Sequence, residues 1–181
     1  MSFQAFLDSI VSHDLRLVAM NWQAGRGARL LPAWSDFDPV AIGPQLRYIW
    51  AWKYDRAAET FVGRLAGEDI VTIFGKSMHG MRIADFFPPE IYRAFLPWMQ
   101  RVTFEPAFAH GSGLIYRRLA RNFAGERIMM PLAEDGIHGD GIIGASFYNP
   151  IGGEDREEGR AYLSGEEHMD FFALDPAAAP G

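Results

Sequence analysis

Five arginines lie in segments whose composition predicts β-strands: Arg64, Arg117, Arg118, Arg121 and Arg127. Successive side chains of a strand point to opposite faces of a sheet, so some of these guanidinium groups are expected beneath the helices that cover it. A buried guanidinium needs a carboxylate, either from the protein or from a ligand, and grips it through two parallel hydrogen bonds. A structural ion pair and an exposed sheet face are the alternative interpretations for each arginine.

Large side chains next to hydrogen-bonding groups on the last three predicted strands form a candidate binding patch. An apolar cavity with a few polar groups is the usual form of a small-molecule site. An arginine there favours a small ligand that has one carboxylate group and is otherwise largely apolar. Arg118 is the first candidate for binding that carboxylate, and Arg64 is the next. The competing interpretation is that the apolar members are plain core. The expected ligand-binding residues are Trp50, Arg64, Met78, Tyr116, Arg118, Met130, Ser146 and Tyr148.

Other chemistries have little support in the residue types. The chain has no cysteine, which excludes disulfides, thiolate metal sites, cysteine nucleophiles and a cysteine-adduct flavin. The predicted helix over 90–104 has no histidine, so a haem ligated from that helix is disfavoured. The histidines lack metal-binding spacing, and Ser112 between two glycines is interpreted as part of a turn. We expect no catalytic residue and no metal ligand. The sequence specifies no cofactor and leaves a noncovalently bound flavin open.

The net charge of −6 is concentrated at one end of the chain. Residues 152–181 hold eight of the 23 acidic residues and two of the 17 basic ones, so the remainder is neutral. No basic patch of the kind that binds nucleic acid stands out. No signal-peptide pattern and no apolar stretch of membrane-spanning length occurs. These features predict a cytoplasmic protein that binds neither nucleic acid nor membrane.

Periodicity predicts the elements that position these residues. Apolar residues at three- and four-residue steps predict an amphipathic helix over 3–22. Blocks of strands joined by short turns indicate an antiparallel α+β domain. We divide the chain into an N-terminal helix (1–25), a domain (26–150) and an acidic, weakly ordered tail (151–181). Strands are predicted over 46–53, 60–66, 114–121, 127–133 and 141–149, and small helices over 69–74, 83–87 and 90–104.

Several motifs follow one another in a set order, from Trp22 and Leu31-Pro32, through Arg64-Leu65-Ala66-Gly67 and Gly75, to Pro131-Leu132. Over about residues 10–150 this order resembles a bacterial PAS-like family that often occurs as a nearly standalone domain. One departure is Trp34, where that family usually has a basic residue. The resemblance implies a PAS-like five-stranded antiparallel sheet with small helices over one face and a pocket between them. It implies a role in sensing or in protein interaction, and it does not indicate which ligand is bound.

The leading functional hypothesis is a sensory or regulatory module without catalysis of its own, which binds a small ligand and signals to a protein partner in trans. One alternative is an interaction adaptor whose pocket is filled by its own side chains. Another is a small enzyme on a related cone-shaped α+β fold. The strand over 46–53 is apolar on both faces, so both faces of the sheet need cover. The helix over 3–22 provides it within one chain or across a homodimer, and we expect a homodimer.

Overall fold

A single antiparallel sheet of six strands organises the chain, in the order β2-β1-β5-β4-β3-β6. The computed structural model describes residues 2–118, 121–151 and 162–174. The strands are β1 (Ile49–Asp55), β2 (Thr60–Ala66), β3 (Ala107–Arg118), β4 (Arg121–Leu132), β5 (Gly141–Ile151) and β6 (Tyr162–Ala173). The helices are α1 (Ser2–Ser9), α2 (His13–Arg26), α3 (Pro39–Ile42), α4 (Glu68–Phe74), α5 (Ile83–Phe86) and α6 (Pro89–Phe104), with 3₁₀ turns at Trp34–Asp36 and Gly43–Tyr48. None of the described helices is long and apolar enough to cross a membrane.

The α+β class with an antiparallel sheet is confirmed, but the expected count of five strands is wrong. The sixth strand, β6, pairs with β3 and lies inside the segment that was assigned to a weakly ordered tail. Met169 and Phe171 alternate there with His168 and Asp170, which is a strand pattern that the high acidic content concealed. The other parts of that tail, 152–161 and 175–181, lie outside the described residues.

Helices cover both faces of the sheet. On the face that we call the pocket face, α4, α5 and α6 pack against Trp50 and Trp52 of β1. On the opposite face, the N-terminal face, α1 and α2 pack against Ile49 and Ala51 of the same strand. The cover that the two-faced strand requires is therefore supplied within one chain. The homodimer stays a prediction, but the need for cover no longer argues for it.

The single helix expected over 3–22 is wrong, because the chain breaks into α1 and α2 between Ile10 and Ser12. The Ser12 hydroxyl accepts a hydrogen bond from the backbone N–H of Leu15 and caps α2. Glu126 of β4 accepts the backbone N–H groups of Val11 and Ser12 at 2.8 and 2.5 Å. The apolar periodicity continues through the break, since Ile10 is fully buried, so the helical pattern does not reveal it.

The hairpin between β3 and β4 lies earlier in the chain than expected. The strands predicted over 114–121 and 127–133 place the connecting turn at 122–126, but Asn122 and Glu126 both belong to β4. The Gly111-Ser112-Gly113 segment, also interpreted as a turn, lies within β3. Gly111 and Gly125 mark places where the chain is approached closely, and a Cβ added at Gly125 would lie 2.0 Å from the carbonyl oxygen of Phe147. Gly113 has no close neighbour, and its φ of 100° is one that other residues rarely adopt.

Candidate ligand-binding site

A small cavity lies between the pocket face of the sheet and helices α4 and α6. Its volume is about 10 Å³, which is close to the space that one water molecule needs. The lining is apolar and aromatic apart from one arginine. It consists of Trp50, Trp52, Ile70, Phe74, Met78, Phe87, Phe95, Tyr116 and Arg127.

Arg127 enters this lining from the middle of β4. Its neighbours across the sheet are Gly111 on β3 and Ser146 on β5. The side chain is 1% exposed, and its guanidinium carbon lies 5.3 Å from the ring centre of Phe95 and 5.2 Å from that of Tyr116. Cation–π contacts of a desolvated guanidinium contribute about 2 kcal/mol. The two rings therefore hold the charged group in place inside an otherwise apolar region.

A carboxylate from β6 provides the counter-charge. Oε2 of Glu167 lies 3.0 Å from Nη1 of Arg127, and the Glu167 side chain is 2% exposed. Because Glu167 pairs with Gly113, its side chain passes over Gly111 of the intervening strand β3. A Cβ at Gly111 would lie 2.0 Å from Oε1 of Glu167, so any larger residue there would displace the carboxylate from this position. Burial raises the pKa of Glu167 to about 7, and the charge of Arg127 opposes that rise.

The ion pair leaves hydrogen-bonding capacity unused. Nη1 and Nη2 of Arg127 and Oε1 of Glu167 make no hydrogen bond to any residue that the structure describes. The Nε of Arg127 lies 3.4 Å from the hydroxyl of Ser146, which is a long contact. Buried polar groups in folded proteins are normally satisfied, and each unsatisfied one costs about 1–3 kcal/mol. An anion that reaches Arg127 from the cavity would satisfy these donors.

Hydroxyl and indole groups surround the arginine. Trp50 donates its indole N–H to the Ser146 hydroxyl at 3.0 Å, and Gly144 leaves the space that the indole ring fills. Tyr148 donates its hydroxyl to the carbonyl of Asp69 at 2.8 Å, which ties β5 to α4. Burial raises the pKa of Tyr116 and of Tyr148, so both hydroxyls stay protonated and available as donors at neutral pH.

Five of the eight expected site residues lie at or beside the cavity. Trp50, Met78 and Tyr116 line it. Ser146 contacts Trp50 and Arg127, and the ring of Tyr148 lies 5.1 Å from that of Tyr116.

The expected convergence on one patch is wrong for two residues. Met130 packs on the N-terminal face, because it is three positions from Arg127 on a strand whose faces alternate. Arg64 is exposed on β2, where its carbonyl lies 2.8 Å from Nδ1 of His79. Arg118 is the last residue of β3, and its side chain lies outside the described part of the structure.

Sequence reasoning missed the charged pair at the centre of the site. Arg127 was noted as a strand arginine, but its face was left open. Glu167 was assigned to the tail, although Met169 and Phe171 follow it at the spacing of one strand face. That alternation was the available signal for β6 and for an inward-facing glutamate. Among the described residues, no group of histidine, aspartate and glutamate side chains is arranged to hold a metal ion.

The family model for the PAS domain matches residues 10–146. The chain therefore belongs to the PAS domain family, whose members are in general sensory or regulatory modules. The matched stretch includes α2 and the whole of β1 to β4, and it ends before β6 begins. No curated protein and no solved structure matches the chain.

Proposed function

We propose that this protein is a sensory or regulatory PAS module that binds a small anionic molecule at Arg127 and signals through contact with another protein. The observation that carries the proposal is the buried guanidinium beside the cavity. Its two terminal nitrogens make no hydrogen bond to a described residue. Within an apolar lining, such a group supplies both affinity for an anion and orientation of it.

The lining favours a carboxylate on an apolar or aromatic body. A guanidinium and a carboxylate match through two parallel hydrogen bonds, which the planar fork of Arg127 is built to make. The rings of Trp50, Phe95 and Tyr116 provide flat apolar surfaces around it. The protonated hydroxyl of Tyr116 adds a donor at the same place.

The proposal assigns binding and no catalysis to this site. The charged groups at the cavity are Arg127 and Glu167, which form an ion pair with each other. An arginine stays protonated at neutral pH, so the pair contains one titratable group, Glu167, and Arg127 cannot act with it as the second acid or base. The residues around it hold and orient a ligand without breaking a bond.

A second function has one observation in its favour. The cavity of about 10 Å³ is nearly filled by the protein's own side chains, which suits an interaction adaptor without a ligand. In that case the output depends on surface contacts alone, and small molecules have no effect on stability.

A thermal-shift screen of small carboxylic acids separates the two functions. A ligand that binds only the folded protein, at 100 times its Kd, stabilises by about 2.7 kcal/mol and raises Tm by about 5–10 °C. We expect this response from wild type and from Arg64→Met, whose arginine is exposed. We expect none from Arg127→Met. Arg118→Ala is screened in parallel, because its side chain lies outside the described residues.

Native mass spectrometry of the purified protein provides an independent test, since a retained ligand adds its mass to the chain. If no acid stabilises wild type, or if Arg127→Met responds as strongly as wild type, the carboxylate site is refuted and the adaptor function takes its place.

A further inference from the structure

Glu167 occupies the place where a ligand carboxylate would meet Arg127. Its Oε2 lies 3.0 Å from Nη1 of Arg127, and its side chain is almost fully buried. The remaining cavity of about 10 Å³ has room for about one water molecule and none for a carboxylate with its carbon body. A ligand therefore reaches the guanidinium only when a side chain leaves, and the Glu167 carboxylate has the matching chemistry.

The strand that carries Glu167 is attached on one side only. β6 is at the edge of the sheet and pairs with β3 alone. Every residue from 167 to 174 is at least partly exposed, and Met169 and Phe171 pack only partly against the pocket-face core. Edge strands with few buried contacts belong to the least stable parts of a fold. The Arg127 contact is a tie between β6 and the pocket, in addition to the pairing with β3 and to the contacts of Phe171 with Arg101 and of Phe172 with Phe6.

The ion pair of Arg127 and Glu167 also contributes little stability for a pair that is so deeply buried. Burial raises the pKa of Glu167 to about 7, so the attraction of Arg127 does not fully offset the desolvation of the carboxylate. Buried ion pairs often come close to break-even for this reason. A ligand carboxylate that satisfies both terminal nitrogens of Arg127 has the advantage, because Glu167 contacts Nη1 alone, at 3.0 Å, and without a well-aligned hydrogen bond.

We propose that a small carboxylate ligand and Glu167 compete for Arg127, and that ligand binding releases β6 from β3. This inference rests on the proposed function and adds its mechanism of output. The exchange replaces one carboxylate by another at the same guanidinium, so no charge is left unpaired in the core. The uncovered edge of β3 then presents free backbone N–H and C=O groups, which a strand from a partner protein pairs with.

Chemical rescue of Glu167→Ala tests the competition without a known ligand. Acetate has the carbon and carboxylate that this substitution removes, and it is compared with chloride at equal ionic strength. We expect acetate to raise the Tm of Glu167→Ala by several degrees and that of wild type by much less. Asp170→Ala is the matched control, because Asp170 is an exposed carboxylate on the same strand. Absence of a specific rescue overturns the competition.

Hydrogen exchange in the full chain tests the release. With an acid from the screen, the amides of residues 167–172 should exchange at least tenfold faster, while those of β5 stay protected. Glu167→Gln keeps the shape of the side chain and serves if Glu167→Ala does not fold. It should show several-fold tighter binding of the acid, because a neutral amide competes less well than a carboxylate for the guanidinium of Arg127. Arg127-dependent binding with unchanged protection of β6 overturns the release and leaves the proposed function intact, whereas absence of any binding to wild type overturns the proposed function.

Discussion

Glu126 and Arg127 are consecutive residues of β4, and their side chains lie on opposite faces of the sheet. On the N-terminal face, Glu126 accepts the backbone N–H groups of Val11 and Ser12, and its Oε1 lies 2.9 Å from Nε2 of His110. On the pocket face, Arg127 meets Glu167 and leaves both terminal nitrogens without a hydrogen bond to a described residue. The carboxylate of Glu126 therefore has hydrogen-bond donors within the fold, whereas the guanidinium of Arg127 keeps donors that no described residue accepts.

The difference separates a group that maintains the architecture from a group that is available for binding. Glu126 joins β4 to the break between α1 and α2, so its contacts are made only in the folded chain. The partner of Arg127 belongs to an edge strand and reaches it across β3. The comparison predicts that changes on the N-terminal face reduce stability and leave the response to acids unchanged. Joint replacement of both members of the charged pair by apolar side chains should do the opposite.

The largest effect on stability is expected from Trp22→Ala on the N-terminal face. Trp22 is fully buried, packs edge-on against Phe108 at 4.9 Å, and donates its indole N–H to the carbonyl of Pro131 at 2.8 Å. We expect a loss of about 3–5 kcal/mol in the free energy of unfolding, measured by urea denaturation. Met20→Ala, on the same helix and 54% exposed, should change it by less than about 0.5 kcal/mol. A loss of the acid response in folded Trp22→Ala would contradict the comparison.

Glu126→Ala should have the next largest effect. It leaves two backbone N–H groups and His110 without their acceptor, and hydrogen bonds to charged groups contribute about 1.5–3 kcal/mol. We expect about 2 kcal/mol less stability in denaturation, and the same Tm increase with a bound acid as in wild type. Glu134→Ala, whose side chain is 64% exposed, serves as the control and should be neutral. An altered acid response would show that the two faces are not independent.

The double variant Arg127→Met/Glu167→Met should lose the acid response and keep its stability to within about 1 kcal/mol. Replacing a buried ion pair by apolar side chains of similar size is often neutral or stabilising. The unsatisfied donors and acceptor at this pair are removed together. Denaturation and the thermal-shift screen measure the two outcomes separately. A loss above about 3 kcal/mol would make the pair a structural one, like Glu126 with its partners.

The charged pair also predicts a dependence of stability on pH that is specific to Glu167. Its pKa in the folded protein is raised by burial to about 7, against an ordinary value of 4.5. The folded state therefore binds the proton more tightly, and this contribution to stability is complete below about pH 4.5 and is lost as the pH rises through 7. Glu167→Gln should gain in Tm relative to wild type between pH 5 and pH 8. Asp170→Asn, an exposed change on the same strand, should run parallel to wild type.

Much of the fold could be predicted because its signals are local. The alternation in β1, with Trp50 and Trp52 opposite Ile49 and Ala51, correctly predicted a strand that is buried on both faces. The glycines of β3 and β4 were misleading, because close approach and tight turns both select glycine. Which of the two applies at Gly111 depends on Glu167, a residue far along the chain that no local pattern connects to it.

The site was predictable only in part, for a related reason. Alternation divides the residues of β4 into two sets, with Arg127 and Met129 in one and Ile128 and Met130 in the other. Both sets contain apolar residues, so the pattern does not say which set faces the small helices. The choice is made by packing, since α1 and α2 cover one set and α4 to α6 the other. Met130 was therefore predicted as the residue of β4 that faces the site, although Arg127 is the one that does so.

The stretch that the family model matches, residues 10–146, does not contain all the residues that pack in the two cores. A fragment cut at those limits begins after Phe6, which stacks on Phe108 at 4.8 Å, and it ends inside β5. It also lacks β6 and hence the counter-charge of Arg127. The limits of the family match therefore differ from the limits of the packed structure. Glu167, the residue that we propose regulates the pocket, lies in the part that the family model does not match.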